Sequence, residues 1–233
     1  MKKLFAVLFT LLVCTGSLSA QAPAADPLDN QFWNETQLTF PVIKKEDSKG
    51  KSIDKLSLFL IGNIRLGTNN RKHTEQRIGF GLIYRKNKHF SITPGYIYIA
   101  QQEISPRRKL YESRFRLAVN VENSWKKYAI DDRNLVEYRL RNGVSDSVRY
   151  RNRLRFTHHV RKNDKELFSP FVADEVYYDF EAKSFNRNEL MLGIAKKFND
   201  HVSADFFYMW QANRSGLPRN MNVFGVNLKF KID

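Results

Sequence analysis

The sequence predicts an all-β protein: a single antiparallel up-and-down transmembrane β-barrel of about 10 to 12 strands behind a cleaved signal peptide. Three observations carry this. Apolar and polar residues alternate with period two from Phe32 to the end of the chain. The alternating segments reach the roughly 9 to 11 residues that a tilted strand needs to cross a bilayer, whereas soluble strands average about five or six. Ahead of them, residues 1–20 have the layout of an export signal.

In that leader, MKKLFAVLFTLLVCTGSLSA, Lys2 and Lys3 precede an apolar run from Leu4 to Cys14, and small residues follow to Ala20. The run is too short for a retained spanning helix. Cys14 is the only cysteine, so the exported chain has no disulfide, thiolate nucleophile or thiolate-held metal. Val13 stands where a lipoprotein signal carries a small residue, which disfavours lipid modification of Cys14. Residues 21–30, QAPAADPLDN, read as a linker, and residues 31–233 as the barrel.

Taken in order, the first candidate strand, Phe32 to Val42, alternates loosely. Leu56, Leu58, Leu60, Ile64 and Leu66 mark the second, and Ile78, Phe80, Leu82 and Tyr84 the third. Phe90 to Ala100 is less regular, then Phe115, Leu117, Val119 and Val121 resume the pattern, followed by Val136, Tyr138 and Leu140. Arg149 to Val160 is the clearest, with Arg149, Arg151, Arg153 and Arg155 on one face and Tyr150, Leu154, Phe156, His158 and Val160 on most of the other. Wound as a helix, arginines at steps of two would scatter around the cylinder and leave no apolar stripe. Phe171 to Phe180, Leu190 to Ile194, Val202 to Trp210 and Phe224 to Ile232 complete eleven segments. Eleven conflicts with the even strand number of single-chain bacterial barrels, so the count is expected to fall to ten or rise to twelve. The links near Asn87, Lys126, Asn163 and Asn199 are short, and those around residues 102–109, 142–147 and 214–220 include longer ones, matching periplasmic turns and outer loops.

A net charge of +15, from 39 Lys and Arg against 24 Asp and Glu, first suggests nucleic acid. The basic residues are interleaved with apolar ones instead of clustered, and the chain carries an export signal, so a nucleic-acid partner is not expected. One apolar face per strand fits a soluble periplasmic ligand-binding barrel with the apolar face inward, or an outer-membrane barrel with that face toward lipid. Strand length and export favour the outer membrane.

On that reading the charged faces line the lumen. The expected network is Glu112, Arg114, Arg116, Arg133, Glu137, Arg139, Arg149, Arg151, Arg153, Arg155, Glu175, Asp179, Arg187, Glu189 and Asp205. Four guanidinium groups along one strand repel unless neighbouring strands supply carboxylates. Such a network either braces a filled lumen or, with arginine in excess, favours small anionic solutes in a narrow channel.

An outer-membrane lipid-modifying enzyme is the competing class. His158 and His159 are adjacent and point to opposite faces, so only one can join a serine and a carboxylate. No GxSxG or HExxH motif is present, His73, His89 and His201 fall near turns, and no ligand spacing supports a metal; no catalytic residue or cofactor is assigned. Arg107, Arg108, Lys109, Arg214 and Arg219 fall in the expected outer loops, where they suit phosphates of lipopolysaccharide.

The strings FWNETQLTF (Phe32 to Phe40), RNLVEYR (Arg133 to Arg139), RYRNRLRF (Arg149 to Phe156), SPFVADEVYYDF (Ser169 to Phe180) and RNELMLGIAKKF (Arg187 to Phe198) stand in the order of a bacterial family. Together they resemble domain of unknown function 2490, whose members are regarded as outer-membrane barrels, common in Bacteroidetes. The resemblance spans nearly the whole exported chain. It implies a fold, a location, lipid partners and the barrel-insertion machinery, and no catalytic residues. One departure is the ending Phe230-Lys231-Ile232-Asp233, where many outer-membrane barrels finish on an aromatic residue.

Overall fold

The computed structural model describes residues 28–46, 50, 52–67, 72–102, 109–163, 165–214 and 218–232. The expected signal segment, with Cys14, lies outside the described residues, as does most of the expected linker. Among the described residues there are twelve strands: β1 (Asp29–Glu46), β2 (Ser52–Gly67), β3 (Lys72–Arg85), β4 (Phe90–Gln102), β5 (Lys109–Ser124), β6 (Tyr128–Arg141), β7 (Ser147–His158), β8 (Val160–Lys162), β9 (Lys165–Asp179), β10 (Ser184–Lys197), β11 (Val202–Asn213) and β12 (Asn220–Lys231). All but β8 pair in sequence order around a closed barrel, and β8 is a short flap bonded only to β9.

Each of the eleven alternating segments corresponds to one barrel strand, and the barrel is all-β as expected. Two details differ from the expectation. The barrel has eleven strands, neither ten nor twelve, and it is not purely antiparallel: β1 joins β12 in parallel, from Asp29↔Met221 to Thr39↔Lys231. The reason is geometric. An odd number of up-and-down strands leaves the first and last pointing the same way, so closure requires one parallel ladder. β1 also begins at Asp29, within the stretch read as linker.

The pleat sends alternate side chains to opposite sides of the wall. Outside are Ile64, Ile78, Phe80, Phe115, Leu192 and Phe224, all more than half exposed or close to it. Inside are Glu137, Arg149, Glu175 and Asp205, all buried. This burial is inverted relative to a protein with an apolar core. Bulges between Pro41 and Ile43 and between Phe185 and Arg187 reset the alternation locally.

Inside, the wall is drawn close at Gly81 and Gly225. A Cβ on Gly225 would lie 2.1 Å from the Phe207 ring, and one on Gly81 would lie 2.4 Å from the Pro94 carbonyl oxygen. The strand ends Gln102, Lys109, Arg141, Ser147, Asn213 and Asn220 share one mouth with Asp29, while the links at 86–89, 125–127 and 198–201 share the other with Lys231. Side-chain capping tightens this second mouth: the amides of His201 and Val202 both donate to Asn199 Oδ1 at 2.8 Å. In the same turn the Lys197 ammonium, 2.5 Å from Asp200, holds that carboxyl below the usual carboxylate range.

Candidate functional site in the barrel lumen

The arginines of β7 point inward between carboxylates of β6 and β9. Cross-strand register sets Glu137 opposite Arg149, Arg133 opposite Arg153, and Arg153 opposite Glu175. Glu137, fully buried, accepts from Arg149 Nε at 2.9 Å and from Arg151 at 3.3 Å, with Arg116 at 3.1 Å. Glu112 clasps two facing guanidinium groups, accepting from Arg114 Nε at 2.5 Å and Arg139 Nε at 2.6 Å. Glu175 reaches past β7 to accept both bonds of Arg133, at 2.8 and 3.0 Å, and takes Arg151 Nε at 2.7 Å. These are charge-assisted contacts in a desolvated setting, where an unpartnered charge costs several kcal/mol.

Farther round, Arg155 spans two intervening strands to Asp205 at 2.9 Å, and Asp205 also holds Lys229 at 2.9 Å. Arg187 lies 3.8 Å from Glu189, which accepts the Tyr177 hydroxyl at 2.7 Å. Asp179 sits at the rim, accepting the amides of Glu181 and Ala182 while lying 3.6 Å from Arg139. The fifteen residues expected in the network thus point into the barrel; those of β5, β6 and β9 with Arg149 and Arg151 form one connected cluster, while Arg153 pairs with Asp131 and Arg155 with Asp205. Five residues outside that set also face the lumen. Arg65 and Arg77 flank Glu75 at 3.2 and 2.5 Å, Trp33 stacks under Arg65 at 3.3 Å, and Tyr177 lies within about 5 Å of Arg149, Arg151 and Arg187. The step-of-two spacing of Glu75 and Arg77 was a usable signal; that Trp33 and Tyr177 face inward was not legible from ordinary β-propensity.

Much of the remaining interior is apolar, with Gln31, Ser57, Asn63 and Gln211 buried among it. Phe59, Ile61, Ile97 and Ile99 form one buried cluster, and Trp33, Phe171, Phe207, Met209, Met221 and Val223 another. Between them and the arginines remains a cavity of about 320 Å³, lined by eight arginines and only three glutamates.

The outer wall carries polar islands. Asn152 donates to Asp132 at 2.6 Å and to Asn134 at 3.2 Å, and Asn188 donates to Asp174 at 2.8 Å. Asp174 is exposed between Leu154 and Leu190 on the neighbouring strands.

Residues 30–222 match the profile of a family described as Protein of unknown function (DUF2490). The chain belongs to the DUF2490 family. No curated protein and no solved structure matches it. The family match covers every strand of this DUF2490 barrel, the last only in part, and hence nearly the whole arginine network.

Elsewhere in the DUF2490 barrel, His159 Nδ1 lies 3.0 Å from Ser169 Oγ and 3.3 Å from Glu166, beside β8. Ser169 itself donates to Glu166 at 2.6 Å. A serine–histidine relay needs one imidazole nitrogen on the serine and the other on the carboxylate. Here the same nitrogen faces both, and the serine is buried, so the trio reads as a clasp on the β7–β9 turn. Among the described residues no group of three His, Cys, Asp or Glu side chains is placed to hold a metal. Lys109, Arg214 and Arg219 stand at the long-loop mouth, and Arg107 and Arg108 lie outside the described residues.

Proposed function

We propose that this DUF2490 barrel spans the bacterial outer membrane and offers a narrow, anion-favouring passage through an arginine-lined lumen. The observation that carries the reading is the inverted burial, apolar residues outside and paired charges inside, combined with a residual cavity in which arginine outnumbers glutamate. An apolar exterior is stable against lipid, and fixed guanidinium charge favours anions in a constriction. Ion pairs fill much of the bore, so unitary conductance is expected to be small. The lysine and arginines at the long-loop mouth suit lipopolysaccharide phosphates, with that mouth facing outward.

Planar-bilayer recording on purified protein tests the passage. Small anion-selective steps are expected; a silent bilayer removes the passage and leaves a structural barrel, and cation preference removes the anion selectivity. Fractionation tests the location, since recovery of the exported chain in the soluble periplasm would sink the membrane assignment. The competing class, a lipid hydrolase, would require a reactive Ser169 beside His159. A fluorophosphonate probe decides it, because labelling of Ser169 would establish a reactive serine.

A further inference from the structure

The lumen is two-faced. Strands β5, β6 and β7 present guanidinium and carboxylate groups, while β2 and β4 present Phe59, Ile61 and Ile97 across the same cavity. A conduit for hydrated ions has no use for an apolar wall, and a purely structural core would close the space between the walls. The arginines also divide into two sets. Arg114 and Arg149 are sealed by their carboxylates, with 7% and 6% of their side chains accessible, whereas Arg116, Arg133 and Arg153 keep 20%, 20% and 24%. Arg116, Arg133 and Arg153 all line the cavity, beside the more enclosed Arg149 and Arg151. Arg133 and Arg153 face each other directly; Arg133 bonds Glu175 on the strand beyond, a carboxylate it shares with Arg151, and Arg153 has Asp131 at 3.1 Å. A further negative charge would relieve that repulsion.

We infer that the cavity binds a small amphipathic anion, an aromatic or short aliphatic carboxylate, with its head on Arg116, Arg133 and Arg153 and its apolar body against Phe59, Ile61 and Ile97. This deepens the anion-passage reading and rests on it for access to the lumen. The cavity volume lies at the low end of ligand pockets, which suits one ring or a short chain. Bidentate guanidinium geometry matches a carboxylate, and the opposite wall rewards what a simple inorganic anion lacks.

The test is calorimetric titration of the full chain in lipid nanodiscs with benzoate, sulfate and benzamide. Benzoate is expected to bind about tenfold or more tighter than sulfate, as burial of a ring implies, and benzamide to give no binding heat. Arg153→Gln should abolish benzoate binding, and Ile97→Asn should weaken benzoate while leaving sulfate unchanged. If Arg153→Gln fails to fold, as judged by loss of heat-modifiable gel migration, Arg116→Gln serves in its place. Benzoate no tighter than sulfate, or indifferent to both arginine variants, overturns the inference. Bilayer recording separates the two claims. Benzoate binding to a silent barrel keeps the site and removes the passage; sulfate current that benzoate does not block removes the site and keeps the passage.

Discussion

Arg133 and Arg153 stand directly opposite one another on β6 and β7, and Glu175 accepts both hydrogen bonds of Arg133 from the next strand beyond. Two like charges at a cross-strand position destabilise a sheet unless a third group intervenes. Glu175 is that group, and the lumen's electrostatics turn on it.

Glu175→Gln should therefore remove the shared counter-charge of Arg133 and Arg151. A cost of about 3 to 5 kcal/mol is expected for leaving buried charge unpaired. Urea titration in vesicles, followed by gel migration, measures it. A change within experimental error would mean that water already screens the arginines.

Burial predicts a gradient between pairs. Glu137 is fully buried under Arg149, Arg151 and Arg116, whereas Arg153 and Asp131 are each about a quarter accessible at 3.1 Å. Glu137→Gln should cost several kcal/mol, and Asp131→Asn no more than about 1 kcal/mol. Equal losses in the same titration would contradict the gradient.

Selectivity follows the same charges. Replacing Arg151 and Arg153 together by Gln should move the reversal potential in a salt gradient toward cation preference. An unchanged potential would put the β7 ladder outside the conduction path.

Steric closeness of the inner wall gives a test independent of charge. Gly225→Ala would drive a methyl group into the Phe207 ring and should cost about 1 to 3 kcal/mol. Gly62→Ala meets nothing within 4 Å and should be near neutral. Matching values for the two variants in thermal unfolding would argue against the packing at Phe207.

On the proposed membrane reading, the exposed Asp174, between Leu154 and Leu190, would be out of place facing lipid. Asp174→Leu should stabilise the barrel in bilayers by roughly 1 kcal/mol, since a carboxylate on that face is unfavourable. Destabilisation on the same urea scale would indicate that this face meets protein or water instead.

Much of this architecture was legible in the sequence where alternation is strict. Arg149 to Phe156 announces both a strand and its inward face, and the strand ends flanking the links that read as longer do gather at one mouth. The apolar half of the lumen was not legible, because β2 and β4 carry Phe59, Ile61, Ile97 and Ile99 inside while also carrying Leu58, Leu60 and Tyr98 outside, so neither strand marks its buried face. The contacts of Arg133 with Glu175 and Arg155 with Asp205 skip over strands, a relationship set by barrel curvature and invisible to nearest-neighbour pattern. The odd parity of the barrel is not legible for a related reason: pairing direction resides in backbone register, and alternation of side chains is the same in parallel and antiparallel ladders.

The parallel ladder between β1 and β12 places the two ends of the barrel chain, Asp29 and Lys231, at opposite mouths. In a membrane, a reporter joined ahead of β1 and another joined behind β12 would report from two different compartments. With the long-loop mouth outward, protease added to intact cells should remove an epitope inserted just ahead of Asp29 and spare one placed after Ile232. An even-stranded barrel would expose or protect both together, so the seam turns a question of strand counting into one of cell-surface display.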